Sequence, residues 1–275
     1  MIPIVEIYVG LYSFPMRHLL KEILSFLGFD LRKRTPKSEL LGLMSDLWPK
    51  SIGADLIRIG GSQDGAYLLP DMISGHEVCI SPGVGDSVFF EKDLHNKYGI
   101  ASILLDNSVD RPKDLPKSSV FINKHLGIFD SDQSVSLRTL MNEYAPKSEC
   151  IVQMDIEGAE YLILTTLDEN VRNHIKLFVI EFHNIHYWTT YIYFENIVKP
   201  AFKSLLQDFV VVHSKPNNAD TTFSFAGYAF PNTLEVTLVS KRFAEPQKPV
   251  EELPHPLDVR NNPNNVLLNF PKVLT

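Results

Sequence analysis

Cysteine is almost absent from this sequence: Cys79 and Cys150 are the only two in 275 residues. Both lie within apolar runs, so they are expected to be small buried hydrophobes rather than a disulfide framework. No Cys/His cluster has the spacing of a zinc site. Long apolar runs are missing as well, and nothing approaches the ~18 residues of a membrane span. The apolar beginning lacks a basic leader, carries Glu6 and meets no small-residue cleavage site, so no signal peptide is expected. Positive charge is short: 26 Lys and Arg against 33 Asp and Glu leave a net charge of −7. That balance argues against broad binding to nucleic acid or to an anionic membrane. The expectation is a cytoplasmic protein with no nucleic-acid partner and no transmembrane segment.

What is present is ordinary for a globular chain: 44% hydrophobic and 21% charged residues, enough for a sizeable core. The length suits one large α/β domain with extensions. Residues 1–50 form an expected N-terminal helical extension, with Leu19, Leu20, Ile23, Leu24 and Leu27 as one apolar stripe and a second short helix over 38–48. Residues 51–242 form the main domain, opening with a β-hairpin flap over 51–72 around the turn pair Asp64-Gly65. Arg58, Asp64 and Tyr67 are its candidate polar contacts to a ligand. Strands are expected at 77–81, 100–105, 120–124, 150–154, 177–182, 210–214 and 234–240. Helices are expected at 88–98, at 135–144 entered from Ser134, and at 191–209 with an interruption at Pro200. Alternating strands and helices predict a mostly parallel sheet with helices on both faces. The last two strands lack a helical crossover, which predicts an antiparallel pair. Residues 243–275, rich in Pro and Asn, are expected to be an extended, loosely packed tail.

Chemistry concentrates at predicted strand ends. Gly83 and Gly85 follow one strand and precede a helix, where bare backbone admits a ligand. Val88 stands where the dinucleotide fingerprint requires glycine, so that fingerprint is incomplete. Asp106 ends the next strand, a position suited to accepting the hydroxyl hydrogens of a ribose. Together these favour a nucleoside-containing cofactor, and the acidic Asp86 in the loop disfavours a pyrophosphate. The apolar run 150–154 ends in Asp155, Glu157 and Glu160. Glu157 and Glu160 are expected on the first turn of the next helix as structural acids, Glu157 being the better candidate for a supporting contact. The strand 177–182 ends in Glu181-Phe-His183-Asn184. His183 is the candidate general base, and Asp155, Glu181 and His183 are a ligand set suited to Mg²⁺ or another divalent ion. His186, Tyr187 and Trp188 are either a sugar-stacking wall or ordinary packing. Asn184, His213, Asn217 and Asn218 are polar groups placed to reach a substrate.

Met154-Asp-Ile-Glu-Gly-Ala-Glu-Tyr161 resembles the FkbM-type methyltransferases. So do Gly83-Val-Gly85 with Phe90-Glu91, Arg58 with Asp64-Gly65-Ala-Tyr67, and the stretch from His213 to Thr237. The resemblance spans about residues 55–242. It implies a class I, Rossmann-like methyltransferase sheet of seven strands with an antiparallel last strand, and S-adenosyl-L-methionine as cofactor. It also implies O-methylation of a sugar, glycan or glycosylated natural product. Gly83 and Gly85 would lie against the donor, Asp106 would bind its ribose, the segment ending at Gly127 would border the adenine, and Asp155 would stand at the transfer site. Ser87 departs from the third glycine found in many class I enzymes. The competing readings are a nicotinamide-dependent oxidoreductase and a non-catalytic Rossmann-like binding module. The helical extension and the tail leave room for a homo-oligomer.

Overall fold

The computed structural model describes residues 14–28, 32–62, 64–85 and 87–271. The stretch containing Glu6, and Asp86 of the glycine loop, lie outside them. Thirteen strands follow in chain order: β1 Leu56–Ile59, β2 Tyr67–Pro70, β3 Val78–Pro82, β4 Ser102–Leu105, β5 Val120–Ile122, β6 His125–Leu126, β7 Ser134–Val135, β8 Cys150–Met154, β9 Ile175–Phe182, β10 Phe209–Pro216, β11 Thr222–Phe225, β12 Tyr228–Pro231 and β13 Leu234–Ser240. The central sheet has seven strands in the order β10-β13-β9-β8-β3-β4-β5. Pairings among β5, β4, β3, β8 and β9 are parallel, and β13 runs antiparallel to both β9 and β10. The mostly parallel sheet with one reversed last strand therefore stands as expected. The chain winds outward from β3 through β4 to β5, then returns to place β8 on the other side of β3. That reversal makes the crevice beyond the carboxyl ends of β3 and β8 the place where an open α/β sheet accommodates a ligand.

Strand alternation sends side chains to two cores. Val152, Met154, Phe178, Ile180 and Phe182 pack on one face with the helices at Lys37–Asp46, Leu137–Tyr144, Glu160–Thr165 and Lys199–Asp208. Cys79, Ile151, Leu177 and Val179 pack on the other with Phe90 and Leu94 of the Phe89–Tyr98 helix and with the β1–β2 hairpin. Both cysteines are buried and free.

Several boundaries differ from expectation. The Leu137–Tyr144 helix is capped by Ser136, whose side chain accepts from the Thr139 amide, and Ser134 belongs to β7. The 191–208 helix is interrupted just before Pro200, as expected: a π-helical stretch over Phe194–Val198 separates Tyr191–Tyr193 from the Lys199–Asp208 α-helix, and the proline sits in the first turn of the latter, where its missing amide costs little. The 215–232 loop contains the β11–β12 hairpin. Leu40, Met44 and Leu47 are fully buried in the core, so the second N-terminal helix belongs to the main domain. On the Phe14–Phe26 helix, by contrast, Leu19, Ile23 and the nearby Leu27 remain exposed. No helix among the described residues is long and apolar enough to cross a membrane.

The tail is extended, but it is not loosely packed. It crosses the domain as a strap. Trp48 Nε1 donates to the Val250 carbonyl, and Phe270 packs edge-on against the Trp48 ring. Asn218 Nδ2 donates to the carbonyls of Asn262 and Asn265. Asn261 Nδ2 reaches Asp64 Oδ1 of the hairpin tip at 2.7 Å and Glu235 Oε1 at 2.6 Å. His213 Nε2 stands 3.0 Å from Asp258 Oδ1, with both side chains buried. Removing one member of such a pair strands the other. Asp258→Ala is therefore expected to lower stability by about 3 kcal/mol, read by chemical denaturation, and to make the strap the first segment cleaved in limited proteolysis.

Candidate functional site

At the reversal point two strand ends are pressed together. Gly83, just beyond β3, has φ +80°, and a Cβ there would fall 1.6 Å from the Asp155 carbonyl oxygen, just beyond β8. Only glycine fits. Gly85 also has positive φ (+55°), but a Cβ there would meet nothing within 4 Å, so its backbone faces open space. The Gly85 amide donates to Asp106 Oδ2 at 3.0 Å, and the Ser108 amide and hydroxyl donate to Oδ1. Burial alone would raise this carboxyl; the bonds from Ser108 and Gly85 outweigh it and hold Asp106 below its ordinary value. The loop thus fixes an ionised acid at the end of β4.

These residues line a cavity of about 730 Å³. Asp64, Gly65 and Tyr67 of the hairpin form one wall, Asn107, His125 and Leu126 another, and Asp155 and Glu157 the end nearest β8. Among the described residues the lining carries five acidic side chains (Asp64, Glu91, Asp106, Asp155 and Glu157) and neither Lys nor Arg.

His183 lies behind that acidic end and is not itself part of the lining. Its Nδ1 is 3.1 Å from Glu160 Oε1. The same oxygen accepts from the amides of Ile156 and Gly158, and the Glu160 side chain is fully buried. Nε2 faces Asp155 Oδ1 at 3.6 Å, Glu157 Oε2 at 3.7 Å and Glu181 Oε1 at 3.9 Å. Burial by itself would lower this imidazole. The Glu160 hydrogen bond and the charges of Glu160, Glu181 and Asp155 prevail and raise it to about 9. Asp155 moves up to about 7, mainly through burial, with repulsion from Glu157, Glu160 and Asp64 added and the attraction of His183 opposing. In this arrangement the imidazole of His183 favours its charged form and Asp155 titrates near neutrality.

A buried chain of hydrogen bonds runs under the cavity. Ser81 Oγ contacts both Glu91 Oε1 and Gln153 Oε1, Gln153 Nε2 donates to the Tyr67 hydroxyl at 3.3 Å, and that hydroxyl donates to Glu181 Oε2 at 3.5 Å. Asn217 Nδ2 holds the other oxygen of Glu181 at 2.7 Å. A serine has one proton and two acceptors compete for it here, so Glu91 must supply a proton of its own. Consistently, burial raises Glu91 from 4.5 to about 7 against the opposing Ser81 bond. A raised acid contributes its full stability below about pH 4.5 and loses it as pH climbs through 7. The difference amounts to about 3 kcal/mol at pH 8. Glu91→Gln mimics the protonated acid, so it is expected to stabilise the protein at pH 8 and to give no gain at pH 4.5, measured by denaturant titration.

The expected site residues thus fall into two groups. Gly83, Gly85, Asp106 and Asp155 meet at one cavity, with His183 behind it. Arg58 is taken up by the carbonyls of Gly61, Ala66 and Leu257. His213 and Asn218 hold the strap and do not reach the cavity. Gly127 is outside the lining, and a Cβ there would press on Ser134 at 2.8 Å. Asn184 adopts a left-handed conformation (φ 58°) with its amide against Gly158. Glu181 serves the buried chain. The three ligand atoms within 4.8 Å of one another belong to Asp155, Glu157 and His183. Glu157 stands outside the helix with φ 57° and an exposed side chain, so Glu160, not Glu157, makes the supporting contact. Trp188 is core, donating to the Tyr161 hydroxyl, and only Tyr187 of the aromatic trio is substantially exposed. The roles of Gln153 and Ser81 carried no sequence signal beyond polar residues inside apolar strands.

No protein-family model matches the chain, and no curated protein matches it. Among solved structures it is similar to the "delta-N METTL16 MTase domain" at 10% identity, covering 82% of this chain and 95% of that one with a TM-score of 0.32. It is similar to the antibiotic-resistance methyltransferase Kmr at 13% identity, covering 68% and 100% with a TM-score of 0.32. It is also similar to the human methyltransferase 10 domain containing protein at 10% identity, covering 82% and 96% with a TM-score of 0.31. Likeness this distant carries no argument about chemistry, which rests on the sheet order and the site.

Proposed function

We propose that the chain is a class I S-adenosylmethionine-dependent methyltransferase that methylates a hydroxyl of a sugar, glycan or glycosylated metabolite. The carrying observation is the composition of the cavity at the reversal point: a bare glycine loop, an ionised acid fixed at the end of β4, and a lining of five acidic residues, Asp64, Asp106 and Glu157 among them, with no Lys or Arg among the described residues. A dinucleotide brings a pyrophosphate, which this wall repels. A sulfonium cofactor with an ammonium group brings positive charge, which it attracts. The residues fit that group. Gly85 leaves space for it, and Asp106 keeps lone pairs for ribose hydroxyls after accepting from Gly85 and Ser108. Asn107, His125 and Leu126 would flank the base.

When bound, the cofactor supplies an electrophilic methyl group. The chain's own part is to align an acceptor and hold its proton. Asp155, at the cavity's acidic end and titrating near neutrality, is suited to taking a hydroxyl proton, and His183 stabilises the charge behind it. Carboxylates accept hydroxyl hydrogens. The reading is tested by calorimetry with S-adenosylmethionine, its demethylated product and reduced nicotinamide cofactors. Saturable binding of the first two alone is expected. Binding only of nicotinamide cofactors, or of none, would reject it. A panel of sugars and glycosides with radiolabelled donor tests the acceptor class, and labelling confined to peptides would reject that part.

A further inference from the structure

We propose that Asp155, Glu157 and His183 form a divalent-cation site at the acidic end of the cavity, with Glu160 as the residue that orients the imidazole. The spacing of the donors is the first argument. Asp155 Oδ1 and Glu157 Oε2 lie 3.6 and 3.7 Å from His183 Nε2, too far for hydrogen bonds. Among the described residues Nε2 has no hydrogen bond at all, although three carboxylate oxygens face it. Oxygens that satisfied an imidazole N–H would close to about 2.8 Å. Donors about 2.1 Å from a shared ion and separated from Nε2 as these are subtend roughly 120° at it, an open, near-trigonal arrangement.

The second argument is an unmet acceptor. Asp155 Oδ1 is buried and makes no hydrogen bond, yet it is the oxygen turned toward Nε2. A buried carboxylate oxygen without a donor is costly unless something cationic completes it. The third is the support behind the ring. Nδ1 is held by Glu160 Oε1, itself fixed by the amides of Ile156 and Gly158. A carboxylate on the far nitrogen fixes which imidazole nitrogen faces a metal; the ion takes the place of the Nε2 proton that the surrounding carboxylates otherwise hold, so binding releases a proton. Glu160 is fully buried and its second oxygen is also unpartnered, so its charge adds to the potential at the site.

Two carboxylates and one imidazole suit a first-row divalent ion that tolerates mixed oxygen and nitrogen donors better than Mg²⁺, which prefers oxygen alone; Mn²⁺ serves as the paramagnetic probe of that class. Asp155 and Glu157 line the cavity, so the remaining coordination positions open toward it. An ion there would hold an acceptor hydroxyl and make it more acidic. The site lies in the proposed methyl-transfer cavity, but its test contains no methyl donor, so the two readings succeed or fail separately.

The test is titration of the chelator-treated full chain with MnCl₂, following loss of the free-ion paramagnetic resonance signal. One equivalent is expected to bind with micromolar affinity. Asp155→Asn and Glu157→Gln are each expected to weaken binding at least tenfold. Asp64→Asn, which removes a cavity charge outside the three ligands, should change it less than twofold. Melting temperatures report whether each variant folds. Glu157 is exposed, so Glu157→Gln decides the matter if Asp155→Asn does not fold. No saturable uptake by the parent, or equal weakening by Asp64→Asn and Glu157→Gln, overturns the proposal.

Discussion

Asp106→Asn is expected to weaken binding of S-adenosylmethionine by roughly 100-fold while leaving the fold intact. A carboxylate hydrogen bond to a ligand contributes about 1.5–3 kcal/mol, and 2.7 kcal/mol corresponds to about 100-fold in affinity. The amide loses the charge and one acceptor. It also sets an N–H either toward the Gly85 amide or toward Ser108, both of which now donate to Asp106. The change lies in a loop at the cavity wall rather than in the core, so thermal unfolding should move little. Calorimetry on parent and variant, with the demethylated product as a second ligand, checks the result. Unchanged affinity for both would remove Asp106 from the site.

The largest structural effect is expected for Gly83→Ala. The added carbon would lie 1.6 Å from the Asp155 carbonyl oxygen, less than half a normal contact distance, at a backbone with φ +80°. The Asp155 oxygen is main chain and a Cβ is fixed rigidly to its own backbone, so neither can swing aside as a flexible side chain does. Separating them forces apart the adjoining ends of β3 and β8. A loss of about 4 kcal/mol or more is expected, read as a lowered denaturant midpoint or as failure to recover folded protein. Gly85→Ala is the matched comparison: it too has positive φ but open space around it, so it should cost about 1 kcal/mol.

Much of the frame was legible because its causes are local. Apolar runs of four to eight residues placed every strand of the central sheet to within a few positions, and the absence of a helical pattern before 234–240 predicted the reversed strand. The glycine loop and Asp106 were legible because turn chemistry and strand ends are written in neighbouring residues. Glu160 was not. In sequence it is one of three acids in six positions, and which one turns inward depends on the left-handed backbone at Glu157 and Gly158. That kink keeps Glu157 outside the helix and places Glu160 at its buried start. His213 and Asn218 were misread for a different reason. Their partners lie in a segment with no periodicity, so nothing in its pattern announces that it will cover them. Pro200 marked the place where the α-helix restarts, whereas the π-helical turn just before it leaves no compositional trace.

The strap has a consequence in time. Strand β13 completes the sheet in sequence before residue 243; the hairpin tip is held from the earlier chain by the Gly60 amide on Asp93 Oδ2, and its contact to the strap comes only with Asn261. On a growing chain the sheet, the glycine loop and Asp106 are all in hand while Asp64 still waits for Asn261. The strap's hold on the hairpin wall therefore comes last. A released chain truncated near residue 245 is expected to be cleaved at that wall sooner than one extended past 266.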